Sequence, residues 1–167
     1  MRVRPEEPAD ALAVRNVNEA AFGSPVEADI VEKTHGLPGP IVSLVAEVDG
    51  EIAGHILFSP VRINGERSVS LMGLGPMAVA PSHQRQGIGS KLVRAGLQRC
   101  QEQGCHAVVV LGHPEYYPRF GFAPASRYGI TSEYDVPDEV FMLLELQPGS
   151  LQGISGRVVY SDAFAGA

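Results

Sequence analysis

Met77-Ala-Val-Ala-Pro-Ser-His-Gln-Arg-Gln-Gly-Ile-Gly-Ser-Lys91 is the run from which the rest of the chain can be read. A short apolar strand ends at Pro81, a polar loop follows, and Gly87 and Gly89 open a helix. That helix carries Ile88, Leu92, Val93, Gly96, Leu97 and Cys100 along one stripe. Glycine lets the backbone approach a ligand closely, and the first N–H groups of a helix have no partner within it. Backed by the helix dipole, such groups suit a phosphate or pyrophosphate, although a plain tight turn would use the same two glycines. Two other phosphate loops fail on their letters. A dinucleotide fingerprint needs glycine where Leu92 stands, and a P-loop needs glycine directly before its lysine, where Ser90 precedes Lys91. What is left is Gln84-x-x-Gly87-x-Gly89 after a strand.

Upstream, the pattern predicts a meander. Ser43 to Val48 runs into Asp49-Gly50, a hairpin turn, and Glu51 to Phe58 returns. Arg62-Ile63 leads to a second turn at Asn64-Gly65, and Val69 to Val79 returns again. Gly73, Gly75 and Pro76 lie in that last strand, and proline cannot donate to a ladder, so pairing there should break or bulge. A bend at a sheet edge would read the same way. Val3-Arg4 is a first strand, Pro8 starts a helix bearing Ala11, Val14, Val17 and Ala21, and Glu27 to His35 forms a second helix. Downstream come the main helix (about Ile88 to Gln103), Gly104 as its left-handed stop and a strand over Ala107 to Leu111. A short helix around Pro114 to Phe120 follows, then strands over Phe141 to Leu146 and Gly156 to Tyr160. The order suits an α/β fold: a central twisted mixed sheet of about seven strands with helices on both faces.

The residues Gln84-x-x-Gly87-x-Gly89 resemble the acetyl-CoA-binding signature of the GNAT N-acetyltransferase superfamily. A second motif agrees: Tyr117 stands four residues before the pair Gly121-Phe122, in Tyr116-Tyr-Pro-Arg-Phe-Gly-Phe122. The wording Leu111-Gly-His-Pro-Glu-Tyr-Tyr and the ending Leu144-Glu-Leu-Gln-Pro-Gly-Ser-Leu-Gln-Gly-Ile-Ser-Gly156 resemble its YhbS-like bacterial subgroup. The likeness covers nearly the whole chain and implies one N-acetyltransferase domain over 1–167. It implies a bulged fourth strand that splays from the fifth and admits the pantetheine arm. It also implies cofactor-binding roles for Met77, Ala78 and Val79, and for Gln84, Arg85, Gln86, Gly87, Ile88, Gly89 and Ser90. Among these, the N–H of Met77 would face the oxyanion, Val79 would pair with pantetheine, and the later amides would hold the pyrophosphate.

The implied reaction moves an acetyl group from acetyl-CoA to an amine, and it makes three demands. The tetrahedral oxyanion needs a preorganised donor. The departing thiolate needs a proton or a hydrogen bond, and Tyr117 is the catalytic residue that the resemblance assigns. A phenol with an ordinary pKa of about 10 is protonated at neutral pH, although a tyrosine there could also serve packing alone. The amine must arrive uncharged, which for an alkyl ammonium of pKa about 10.4 calls for a base. Histone-type relatives carry a glutamate four residues before the Met77 site, where this chain has Gly73. The base is therefore open among Glu47, His55, His83 and His113.

Composition narrows the classes. With 167 residues and a 44% hydrophobic share, the chain suffices for one globular domain. Nothing in it reads as a signal peptide or a bilayer span. The two cysteines are too few for a disulfide framework and read as buried thiols in a cytoplasmic protein. The five histidines show no metal-ligand spacing, so no metal is expected. A net charge of −6 argues against nucleic acid and tolerates a cationic acceptor. The serines lack a nucleophile elbow. A catalytically silent acyl-CoA-binding sensor is the competing reading, and the partner state is monomer or homodimer.

Overall fold

Asp49-Gly50 and Asn64-Gly65 close the two hairpins that organise the centre of the chain. Asp49 has φ +52° and Gly50 φ +80°, the left-handed pair that a tight two-residue hairpin requires. In the computed structural model, which describes residues 1–165, the hairpins join β2 (Val42–Val48), β3 (Glu51–Ile63) and β4 (Glu66–Val79). β3 is longer than its sequence pattern suggests. Arg62-Ile63, expected to lead into the turn, lies inside the strand, and Pro60 does not end it.

Nine strands occur among the described residues: these three, β1 (Arg2–Pro5), β5 (Ala107–Leu111), β6 (Ala123–Pro124), β7 (Ile130–Ser132), β8 (Phe141–Glu145) and β9 (Gly156–Val159). The two beyond the expected seven are β6 and β7, of two and three residues, too short to display a period. Three α-helices accompany them: α1 (Ala11–Phe22), α2 (Val26–His35) and α3 (Ile88–Glu102). The sheet is mixed: β4 with β5 and β7 with β9 are parallel, and the other recorded pairs are antiparallel.

The contacts divide into two compact units, one of residues 1–59, 75–99 and the end from Asp162, the other of 60–74 and 100–161. In the first, β1 pairs with β2 from Arg2↔Glu47 to Pro5↔Leu44, and β2 with β3 from Val42↔Phe58 to Val48↔Glu51. The alternation of β3 puts helices on both faces. Leu57 packs with Val45 against Val14 of α1 and Val31 of α2. Gly54 and Phe58 face α3 instead: a Cβ at Gly54 would lie 3.0 Å from both Ile88 Cγ2 and Leu92 Cδ1, and one at Gly96 only 2.1 Å from Phe58 Cε1. These two glycines admit close helix–sheet contact, a reason the helical stripe alone did not reveal.

A polar chain is buried on the α1 side. His55 is fully enclosed, accepts at Nδ1 from Asn18 Nδ2 at 3.2 Å and contacts Ser43 Oγ through Nε2 at 2.9 Å. The Ser43 hydroxyl donates to Glu6, which also meets His35 at 3.0 Å. Although burial opposes ionisation, the hydrogen bonds from His55 and Ser43 prevail and hold the Glu6 carboxyl down at about 2.

The second unit has its own core, with Ile63, Leu71, Val109, Leu143, Val158 and Ile130 among its buried residues. β4 pairs with β5 from Leu71↔Ala107 to Leu74↔Val110, β5 with β8, and β8 with β6. β9 pairs with the end of β3 through Arg62↔Val159 and Ile63↔Val158. Both cysteines are buried free thiols, with Cys100 pushed up to about 12 by burial. Just past Leu74, where the recorded pairing with β5 ends, Gly75 takes φ +147° and the Gly75–Pro76 peptide is cis, while β4 itself continues to Val79.

Candidate active site

In the first unit, the end of β4 alternates: Ala78 is buried while Met77 and Val79 are partly exposed. A 3-10 turn over Pro81–His83 follows, and the Gln84 side chain reaches back to donate to the Val79 carbonyl at 3.1 Å. Arg85 and Gly87 both take positive φ, +64° and +83°. At Gly87 a Cβ would meet nothing within 4 Å, so glycine is there for its conformation and not for space. The Lys91 N–H closes the first turn of α3 onto the Gly87 carbonyl at 3.1 Å. Gln84, Arg85, Gln86 and Gly87 are exposed, Gly89 and Ser90 partly so, and Ile88 is buried as the anchor. The loop thus brings the predicted residues from Gln84 to Ser90 to one exposed helix start, the part of a helix that attracts anions.

In the second unit, Tyr117 sits on a 3-10 turn over Tyr117–Phe120. The expected short helix from Pro114 is replaced by this tighter turn, in which Pro118 supplies no N–H and Gly121 at φ +100° ends the turn. The Tyr117 N–H reaches the His113 carbonyl at 3.3 Å. Tyr117 is 7% exposed, and its ring meets Tyr116 and Phe122 edge-on at 5.1 and 5.7 Å between centroids. Gly112 explains how the ring fits. A Cβ there would stand 2.3 Å from Tyr117 Cε2, so the ring rests on bare backbone after β5. Gly112 is itself fixed by donating to the Val140 carbonyl at 3.0 Å. Burial first, then Tyr116, pushes the Tyr117 phenol up to about 12. It is a neutral donor across the physiological range. Nothing in the spacing of the chain pointed to Gly112.

The four base candidates sit in different settings. The Glu47 carboxylate is ion-paired with Arg4, which also binds Asp10 through both of its terminal nitrogens. His55 belongs to the buried polar chain. His83 is partly exposed with Ser82 Oγ 3.0 Å from its Nδ1. His113 is exposed, 3.7 Å from Glu115. No group of three or more His, Cys, Asp or Glu among the described residues could hold a metal ion. No described helix is long and apolar enough to cross a membrane.

Known proteins match this arrangement. The family described as Acetyltransferase (GNAT) family matches residues 11–122. The uncharacterized N-acetyltransferase YjhQ of Escherichia coli is 39% identical over 154 residues, 87% of this chain and 85% of its own length. The uncharacterized N-acetyltransferase YhbS of Escherichia coli is 33% identical over 165 residues, 98% of each chain. The crystal structure of YhbS in complex with CoA superposes with a TM-score of 0.90 over 98% of this chain and 91% of that one. A GNAT family acetyltransferase from Brucella melitensis, solved with acetyl-CoA, is 38% identical with a TM-score of 0.81, covering 98% and 97% of the two chains.

Proposed function

Since the chain belongs to the acetyltransferase (GNAT) family, we propose that its helix start from Gln84 to Ser90 receives the diphosphate of acetyl-CoA. The enzyme is an N-acetyltransferase that takes its acyl group from that donor. The reaction proceeds by direct attack in a ternary complex, within a single transferase domain over 1–167. The neutral amine nitrogen attacks the thioester carbon, a C–N bond forms, the C–S bond breaks, the proton released from nitrogen passes to water, and the departing thiolate takes up a proton from water. The N–H of Met77 faces the developing oxyanion, and Val79 pairs with the pantetheine amides through its backbone. These are main-chain roles, so the side chains of Met77 and Ala78 serve packing.

Tyr117 faces the leaving sulfur in this reading. Burial holds its pKa at about 12, well above the roughly 8.5 of an ordinary thiol, so full proton transfer to the sulfur is uphill. The phenol therefore acts first as a hydrogen-bond donor that stabilises the growing thiolate, and the sulfur gains its proton later. The acceptor is an amine, the setting is cytoplasmic, and neither nucleic acid nor a membrane is a partner.

The observation that carries the reading is the exposed start of α3, with Gly87 in a left-handed conformation directly before it. Titration calorimetry with CoA tests it, paired with release of free thiol from acetyl-CoA across a panel of primary amines. Micromolar CoA binding and amine-dependent thiol release are expected. Absence of CoA binding would remove the assignment, whereas CoA binding without turnover on any amine would favour the silent acyl-CoA-binding module.

A further inference from the structure

The hairpin of β2 and β3 is irregular near its turn. Ala46 pairs with Gly54 but Glu47 pairs with Ile52, so Ala53 is an extra residue in β3. The shift carries Ile52 onto the face where Val14 of α1, Val45 and Leu57 pack. Unbroken alternation back from Leu57 would have turned it to the other face. Glu47, two residues past Val45, lies on the same face as Ile52, its partner. Opposite them α1 presents Ala13, Val17 and Ala20, and the two alanines leave room. Between these walls and Ala80 is a hollow of about 510 Å³, within the size range of small-molecule sites. All of its lining belongs to the first unit.

One cation and three carboxylates line the hollow: Arg4, Asp10, Glu47 and Glu51. Arg4 is already committed. Its terminal nitrogens donate to the two oxygens of Asp10 at 2.7 and 3.0 Å, its Nε donates to Glu47, and Nη1 also meets the Pro5 carbonyl at 3.0 Å. Arg2 stands opposite Glu47 in the β1–β2 register, but it is exposed and outside the lining. Arg15 of α1 is paired with Glu19, Asp29 and Glu32. An anion therefore finds no free cation here. Asp10, 8% exposed, answers the charge of Arg4, and Arg4 in turn fixes the Glu47 carboxylate before any ligand arrives. Glu51, exposed at the rim, has no ion-pair partner among the described residues.

We propose that this hollow binds a small organic ammonium ion, with its charge between Glu47 and Glu51 and its apolar body against Val17, Ile52 and Ala80. The surplus of carboxylates attracts the cation, and a few methylenes leave water for the apolar floor. The site is separate from the point of acetyl transfer. Ala80 lies three residues beyond Met77, roughly 10 Å along an extended chain, and its N–H is engaged with the Ala53 carbonyl at 2.8 Å. The proposal stands independently of the transferase reading, since neither the hollow nor its charge requires the coenzyme.

Amide NMR titration of the full chain without CoA tests this, with pentylammonium chloride, 1-pentanol and sodium pentanoate as probes of similar size and different charge. Pentylammonium should shift the signals of Val17, Gly50, Ile52 and Ala80 and bind about tenfold tighter than either of the others. Ala20→Leu puts a good helix former into the hollow and should abolish those shifts. Glu51→Gln removes a charge at the rim and should reduce the preference for the cation several-fold. A dispersed amide spectrum confirms that each variant is folded. Equal affinity for the three probes, shifts confined to other residues, a preference unmoved by Glu51→Gln, or wild-type binding in Ala20→Leu overturns the proposal. None of these outcomes touches the transferase reading, which falls only if CoA fails to bind.

Discussion

The loop from Gln84 to Ser90 and the turn that carries Tyr117 use glycine for opposite reasons. At Gly87 the space beyond the missing Cβ is open and the backbone angle is the constraint. At Gly112 the constraint is space, since a ring atom of Tyr117 lies where a methyl group would be. One region offers main-chain hydrogens and is indifferent to most of its side chains. The other holds a single side chain in one orientation. Substitution should therefore affect the first through coenzyme affinity and the second through turnover.

The largest effect should come from Tyr117→Phe. It keeps the ring contacts and removes the donor, so kcat should fall about a hundredfold while CoA affinity stays within twofold. Steady-state kinetics beside calorimetry check this, and a change confined to affinity would erase the contrast between the two regions. A further test concerns the Glu6 chain of the first unit. Its carboxyl is held at about 2 in the folded protein against an ordinary 4.5, so its contribution is present above about pH 4.5 and is lost as the pH falls toward 2. On the order of 3 kcal/mol of stability should disappear over that window, measured by urea unfolding along a pH series. Ser43→Ala should shrink the loss.

Gly112→Ala comes next. Moving the Tyr117 ring aside should cost about 1–3 kcal/mol of stability and lower kcat about tenfold, with CoA affinity unchanged. Chemical denaturation and kinetics separate the two effects, and normal turnover would show that the ring's seat is unimportant. Gly87→Ala should act the other way. The positive φ costs an alanine about 1 kcal/mol, and the expected readout is a several-fold weaker Kd for CoA with kcat at saturation preserved.

How far each region could be read from the chain follows from the same contrast. Gly87 and its helix announce themselves within a dozen residues, because a left-handed turn and a 3.6-residue stripe are local signals. The hairpins at Asp49-Gly50 and Asn64-Gly65 are local too, as is the left-handed Gly104 past α3. Tyr117 is visible through its motif, but its turn has the sequence pattern of a short helix, since nothing local distinguishes a 3-10 turn from an α-helical one over so few residues. The steric reasons for Gly112 and Gly73 could not be read at all. Their reasons are rings at positions 117 and 160, and the second is brought beside β4 only when β9 pairs with β3. β6 and β7 stayed hidden because strands of two or three residues are defined by their neighbours and not by their own pattern.

The interlock of α3 with β3 through Gly54 and Gly96 has a kinetic consequence. Ile88 and Leu92 are seated so tightly that the first turn of the helix cannot slide or unwind without breaking core contacts. Its amides are aligned before any coenzyme arrives, so capture involves little chain ordering. Observed association rates in rapid-mixing experiments should then climb in proportion to CoA concentration without reaching a plateau, because no slow rearrangement stands ahead of the encounter.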